Sequence, residues 1–106
     1  MEDSAIQVWE IVVALKLDYK KVEGRKEAYS LVKKNLKPTD WEEFGIKAQV
    51  DCQDRRREIT AKGTGFTLFI HFADEMAELD LDLSLLLRPF KKRILAVIEK
   101  RLRELL

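Results

Sequence analysis

The spacing of apolar residues changes midway through the stretch from Ala77 to Leu106. Before Leu86 they alternate with acidic or small polar residues, which is the period of a strand that buries one face. Because burying each leucine contributes roughly 1.5 to 3 kcal/mol, shifting the strand pairing by one residue would be strongly unfavourable. The pattern therefore predicts a strand with a fixed register. Its inward residues are Ala77, Leu79, Leu81, Leu83 and Leu85.

After this strand the apolar positions follow helical spacing. Pro89 suits the first turn of a helix, where its missing N–H costs nothing. The apolar stripe that follows should pack on the leucine face of the sheet, since such a stripe needs an apolar partner. It consists of Phe90, Ile94, Val97, Ile98, Leu102 and Leu105.

Three segments before this strand also alternate between apolar and polar residues, at 44–53, 57–63 and 66–72. Short polar turns separate neighbouring strands, which predicts an antiparallel meander of four strands. The turns are Asp54-Arg55-Arg56, Gly63-Thr64-Gly65 and Asp74-Glu75.

The first part of the chain predicts a strand and then a helix. Ile6–Leu17 is rich in β-branched residues, which favours a strand. Helix is the rival interpretation, because Ser4 with Gln7 could form a capping box. From Asp18 to Lys37 the apolar residues follow helical spacing, with Asp18 as the N-cap and Gly24 inside the helix. The inward side of this helix consists of Val22, Tyr29, Val32 and Leu36.

Together these segments predict the order β-α-β-β-β-β-α in a single domain spanning residues 1–106. This order is typical of an α+β two-layer fold. We expect a five-stranded, largely antiparallel sheet with two helices packed on one face and a mostly polar face opposite.

Composition favours a soluble cytosolic protein. Apolar residues make up 46% of the chain and charged residues 37%, and no stretch is apolar enough to span a membrane. The first four residues lack the basic patch and apolar run of an export signal, and the lone Cys52 cannot form an internal disulfide. Twenty basic and nineteen acidic residues nearly balance, so no overall field attracts a polyanion.

The sequence offers no constellation of catalytic residues. The only histidine, His71, and the only cysteine, Cys52, lie on different predicted strands and on opposite faces of the sheet. Glu78, Asp80 and Asp82 form an acidic row, but they project in parallel rather than converging on one point. A cross-strand partner such as Lys62, or hydration, is the simpler interpretation. We therefore expect no enzyme activity, no cofactor and no metal ion.

Two surfaces are candidates for interaction. Phe69 is a large apolar side chain on the polar face, and with Thr67 and His71 it could pair with a second copy across a two-fold axis. Lys91, Lys92 and Arg93 begin the last helix, which could rest on an anionic or apolar surface. Nucleic acid is not an expected partner, because the acidic row would repel phosphate and stacking aromatics other than Phe69 are missing.

The chain resembles the polyhydroxyalkanoic acid system family, small bacterial proteins associated with storage-polyester genes and granules. Gly63–Leu68 is similar to the family's glycine-containing turn with a shorter spacing. "LDLDLSLLL" and "RPFKKRILAVIEKRLRELL" are similar to its acidic-leucine strand and terminal helix. The upstream strand and helix order, including "FGIKAQVDCQD", is similar as well. The chain departs from the family's pattern at Val50–Asp54, where the family often has Trp and Gly, and at Asp18, where it often has His.

The resemblance implies association with polyester granules or their machinery and supplies no catalytic residues. The leading hypothesis is a non-enzymatic cytosolic accessory protein that binds a granule surface or a partner protein, with a homodimer as one form. The alternative is a ligand- or lipid-binding module with a pocket between the sheet and the last helix. That pocket would require space between Phe66, Leu79, Leu81 and Ile98, whose bulk indicates a filled core.

Overall fold

The computed structural model describes the backbone of residues 10–106 and the side chains of residues 14–37, 40–42 and 44–106. The first described element is a strand, β1 (Glu10–Asp18). The strand interpretation of Ile6–Leu17 is thus confirmed from Glu10 onward. The remainder of that segment, with the Ser4–Gln7 capping box, lies outside the described residues.

The architecture is the predicted α+β fold, with a five-stranded sheet and two α-helices. After β1 the elements are α1 (Arg25–Asn35), β2 (Gln49–Gln53), β3 (Glu58–Gly63), β4 (Phe66–Phe72), β5 (Met76–Ser84) and α2 (Lys91–Leu105). The strands are ordered β1-β5-β4-β3-β2, and every neighbouring pair is antiparallel. The first strand therefore pairs with the last, while β2 to β5 form the predicted meander.

One face of the sheet carries most of the described apolar side chains of the strands. In β4 and β5 the register pairs Leu68 with Leu81 and Ile70 with Leu79, and each of these side chains is at most 3% exposed. Side chains directly opposite in register share a face, so these pairs form one continuous apolar layer. The predicted register of β5 is confirmed. Leu85 is the exception, because it lies beyond the end of the strand.

The last helix covers this apolar layer. Ile94, Ile98 and Leu102 are at most 2% exposed and belong to the same buried cluster as the inward residues of the sheet. α2 begins at Lys91, two residues after Pro89, because Leu85–Phe90 forms a separate 3-10 helix. Pro89 lies inside that tighter helix rather than in the first turn of α2 as predicted.

The first helix begins at Arg25 rather than at Asp18. Asp18 is the last residue of β1 and pairs with Met76, so its predicted role as an N-cap is wrong. The backbone N–H of Tyr19 donates to the carbonyl of Glu75, and those of the next two residues donate to the carbonyl of Leu106. These tertiary hydrogen bonds compete with helix formation. Gly24 is consequently the N-cap and not an interior residue.

A 3-10 helix at Pro38–Phe44 overlaps the segment predicted as the second strand, 44–53, only at Phe44, and the strand itself begins at Gln49. Gly45 ends this helix with φ +74°, a conformation that glycine adopts readily. Trp41 is 1% exposed, and its ring lies 4.9 Å from that of Phe66, centroid to centroid. Asp40 ties the segment to α2 by accepting a 2.8 Å hydrogen bond from Arg101. The apolar face is thus covered by three elements rather than two.

Candidate functional site

The only cysteine and the only histidine are too far apart in the sheet to act together. Cys52 pairs in register with Ile59 on the apolar face, whereas His71 pairs with Glu58 and Glu78 on the polar face. Burial raises the pKa of the Cys52 thiol, which disfavours the reactive thiolate. The predicted separation of the two side chains is confirmed.

The polar face of the sheet holds the predicted Phe69 patch. Phe69 is half-buried between Thr60 and Asp80 on the neighbouring strands. His71 is also half-buried, and its Nδ1 lies 3.3 Å from Oε2 of Glu58 without meeting hydrogen-bond geometry. Pairing of two copies through this face stays a prediction.

The acidic row follows β5 on this same face. Glu78 lies opposite Lys16 of β1, while Thr67 separates Asp82 from Lys62. Lys16 is therefore the cation directly opposite the acidic row. Lys62, the predicted cross-strand partner, lies on β3, which is separated from β5 by β4. Within the described part of the chain, no three side chains of the metal-ligating types gather into a site.

An exposed apolar tip adjoins the basic residues at the start of α2. Leu86 is 84% exposed, and among the described residues it is the large apolar side chain left most open to solvent. Within the seven residues that follow Leu86 in the chain, Arg88, Lys92 and Arg93 are exposed and Lys91 is half-buried. The guanidinium of Arg93 also lies 5.7 Å from the ring centroid of Phe44. We call residues 85–93 the leucine tip.

The leucine tip brings together three of the five predicted interaction residues, Lys91, Lys92 and Arg93. Phe69 and His71 belong instead to the polar face of the sheet, opposite to the face that α2 covers. Leu86 was missed as a surface residue, because in the sequence it continues a leucine run. The signal that could have identified it is its place outside both the alternating strand set and the helical stripe.

A second basic surface lies between α1 and the β2–β3 turn. It is an open cleft of about 490 Å³, which we call the α1 cleft. Four of its lining residues are cationic and one is acidic. It is lined by Lys26, Tyr29, Ser30, Lys33, Lys34, Asp54 and Arg57.

A hydrogen-bonded trio holds the floor of the α1 cleft. Tyr29 is 4% exposed and donates its hydroxyl to Oδ1 of Asp54, which also accepts a 2.9 Å hydrogen bond from Nζ of Lys33. The hydrogen bond from Tyr29, followed by that from Lys33, lowers the pKa of Asp54 below its ordinary value of 3.8. Burial and the bond to Asp54 raise the pKa of Tyr29. The carboxylate is thus fixed in its charged form by α1.

We expect Asp54→Asn to reduce the acid sensitivity of the fold. A carboxyl group with a lower pKa in the folded chain stabilises the fold above its unfolded pKa, and this contribution disappears as pH falls below about 3.8. Asparagine keeps an acceptor for Tyr29 but cannot titrate. The melting temperature should therefore fall less between pH 7 and pH 3 in the variant than in the wild type, measured by circular dichroism.

Tyr29→Phe is the companion to this variant, because it removes the main cause of the lowered pKa. In Tyr29→Phe, too, the melting temperature should fall less between pH 7 and pH 3 than in the wild type. Identical drops in melting temperature for the wild type and both variants would contradict the assigned role of the trio.

Comparison with known proteins identifies the family. A family model described as "Putative polyhydroxyalkanoic acid system protein" matches residues 21–106. The chain belongs to this family. The region that matches the polyhydroxyalkanoic acid system model includes α1, the meander and α2, and therefore both the leucine tip and the α1 cleft. Searches of curated proteins and of solved structures give no match.

Two further observations concern the alternative of a lipid-binding module. The residues that would line a pocket between sheet and α2, namely Phe66, Leu79, Leu81 and Ile98, are at most 3% exposed and belong to the core. A cavity between α1 and α2 has a volume of about 80 Å³, well below the roughly 300 Å³ at which ligand pockets begin.

In the described region, no helix is both long enough and apolar enough to cross a membrane.

Proposed function

We propose that this protein is a cytoplasmic, non-enzymatic accessory protein of the polyhydroxyalkanoic acid system that binds the surface of the polyester granule through its leucine tip. The observation that carries the proposal is the 84% exposure of Leu86 in a segment whose Arg88, Lys92 and Arg93 are exposed as well. Membership of the family supplies the polyester context.

The chemistry of a polyester surface suits this tip. A polyester of hydroxy acids presents apolar chains together with carboxylate chain ends. Inserting one leucine side chain into such a surface contributes roughly 1.5 to 3 kcal/mol. Cationic residues near an anionic surface contribute about 1 kcal/mol each, and Arg88 and Lys92, which follow Leu86 in the same segment, are exposed. One apolar anchor with a few cations gives reversible rather than permanent attachment.

The tip is also well supported for this role. Phe90 packs within 6.2 Å of Phe44, ring centroid to centroid, and Ile94 is fully buried below it. Leu86 is therefore presented by a segment anchored to the core at its α2 end. An exposed apolar side chain on an anchored segment loses less conformational entropy on binding than one on a free loop.

Substitution of Leu86 tests the proposal. Purified protein should sediment with polyester particles that have been stripped of other proteins, and Leu86→Ser should weaken this binding roughly ten- to hundredfold. Leu86→Met is the matched control, because it retains an apolar side chain of similar volume and should bind like the wild type. Co-sedimentation over a series of particle concentrations gives the affinities.

Three results would count against the proposal. Wild-type protein that stays in the supernatant with stripped particles but binds native granules would indicate a partner protein instead. Equal binding by Leu86→Ser and the wild type would remove the tip from the interface. In polymer-producing cells, a distribution between supernatant and granule fractions identical to that in cells without polymer would refute granule association.

A further inference from the structure

The α1 cleft has features that granule binding by the leucine tip does not require. Its cations come from two separate elements: Lys26, Lys33 and Lys34 from α1, and Arg57 from the end of the β2–β3 turn. Against these four stands one carboxylate, Asp54, which is already bound by Tyr29 and Lys33. The whole chain has a net charge of only +1, so the cleft concentrates positive charge well above the average.

Arg57, which lines this cleft, has an unusual backbone conformation. Its φ is +54°, and among the described residues it is the non-glycine residue with a positive φ. Glycine or asparagine normally occupies such a position, because the side chains of other residues are strained there. Strained backbone of this kind is concentrated at functional sites.

The guanidinium of Arg57 retains unused donor capacity. It lies 5.7 Å from the ring centroid of Tyr29, and its Nη1 donates to the backbone carbonyl of Asp54. Its Nε is buried without a hydrogen-bond partner. A buried donor without a partner is uncommon in folded proteins, and an oxygen-rich anion in the cleft would satisfy it after a small side-chain movement.

We propose that the α1 cleft binds the phosphate group of a phosphorylated small molecule, with Arg57 and the α1 lysines as its anion-binding residues. A phosphate dianion offers three oxygens, which matches a site with several cations better than a single carboxylate does. The hydroxyl of Ser30 also lines the cleft and supplies a neutral donor or acceptor. The volume of about 490 Å³ leaves room for a substituent on the phosphate. This inference is independent of the proposed granule binding.

Arg57→Gly tests the proposal without endangering the fold, because glycine accepts a positive φ readily. Inorganic phosphate and glycerol 3-phosphate are the probes, titrated into ¹⁵N-labelled protein at 150 mM NaCl. Saturable amide shifts should be concentrated at residues 26–34 and 54–57. Arg57→Gly should weaken binding at least tenfold while its melting temperature stays equal to or above that of the wild type.

Lys47→Gln is the matched control, since Lys47 is an exposed lysine outside the cleft. It should bind phosphate like the wild type, and so should Leu86→Ser, which separates this site from the granule surface. Shifts spread evenly over all lysines, or equal affinities for Arg57→Gly and the wild type, would overturn the proposal. Binding to vesicles containing phosphatidic acid but to neither soluble probe would assign the site to a lipid headgroup and overturn it as well.

Discussion

Trp41→Ala is expected to lower the free energy of unfolding by about 3 to 5 kcal/mol, the usual cost of truncating a buried large aromatic side chain. Trp41 is 1% exposed and packs on Phe66, which is itself 1% exposed. Its removal would open a cavity between the Pro38–Phe44 helix and β4. Since small domains have total free energies of unfolding of about 5 to 15 kcal/mol, the variant should lose a large part or all of its folded population. Urea denaturation followed by far-ultraviolet circular dichroism measures the change.

Trp41→Phe tests how much of the stability at this position comes from the volume of the aromatic side chain. The indole Nε1 is buried without a hydrogen-bond partner, so replacing the indole by a phenyl ring sacrifices volume but no hydrogen bond. We expect this variant to lose less than half as much stability as Trp41→Ala. Leu86→Ala, at an exposed site, should change stability by no more than about 0.5 kcal/mol. Equal losses for Trp41→Ala and Leu86→Ala would mean that the Pro38–Phe44 helix does not cover the sheet.

The fold class and the meander could be predicted from the sequence because their signals are local and repeated. The alternation from Ala77 to Leu83 and the helical stripe from Ile94 to Leu102 each recur over several residues, and the predicted inward residues are buried except for Val97, which is half-buried. A pattern with many mutually consistent positions tolerates one misassigned residue, such as Leu85.

The late start of β2 at Gln49 and the Pro38–Phe44 helix before it were missed for a physical reason. Phe44, Ile46 and Ala48 are all buried, so the alternation that predicted a strand correctly identified the inward residues. Burial at every second position does not by itself specify a strand, because an irregular segment lying across the core produces the same pattern. The overlooked signals were Pro38 at a helix start and Gly45 at its end, with Trp41 and Phe44 one helical turn apart.

The candidate surfaces depended more on tertiary structure. The lysines of α1 and Arg57 of the β2–β3 turn are more than twenty residues apart in the sequence, so no local pattern joins them. They converge only in the folded chain, where Arg57 has a positive φ and Tyr29 donates a hydrogen bond to Asp54, 25 positions later in the sequence. No local pattern encodes such a contact, whereas Lys91, Lys92 and Arg93 are adjacent in the sequence and could be found directly.

The α2 helix links the core to the leucine tip, because the same helix buries its stripe and carries the basic residues at its start. Ile98 lies at the centre of the stripe and is 2% exposed. Ile98→Asp would place a carboxylate in the apolar layer without a partner, a change that costs several kcal/mol or forces the carboxyl group to take up a proton. We expect this variant to be unfolded or to have a strongly reduced melting temperature at pH 7.

Ala96→Glu is the matched control for this prediction, since Ala96 is exposed on the same helix two residues earlier. Glutamate is a good helix former, and at this position it lies four residues before Lys100, the favourable order for an ion pair along a helix. Its stability should remain within about 0.5 kcal/mol of the wild type. If both variants melted like the wild type, the stripe would not lie against the sheet, and the leucine tip would lose the anchored base on which its presentation of Leu86 depends.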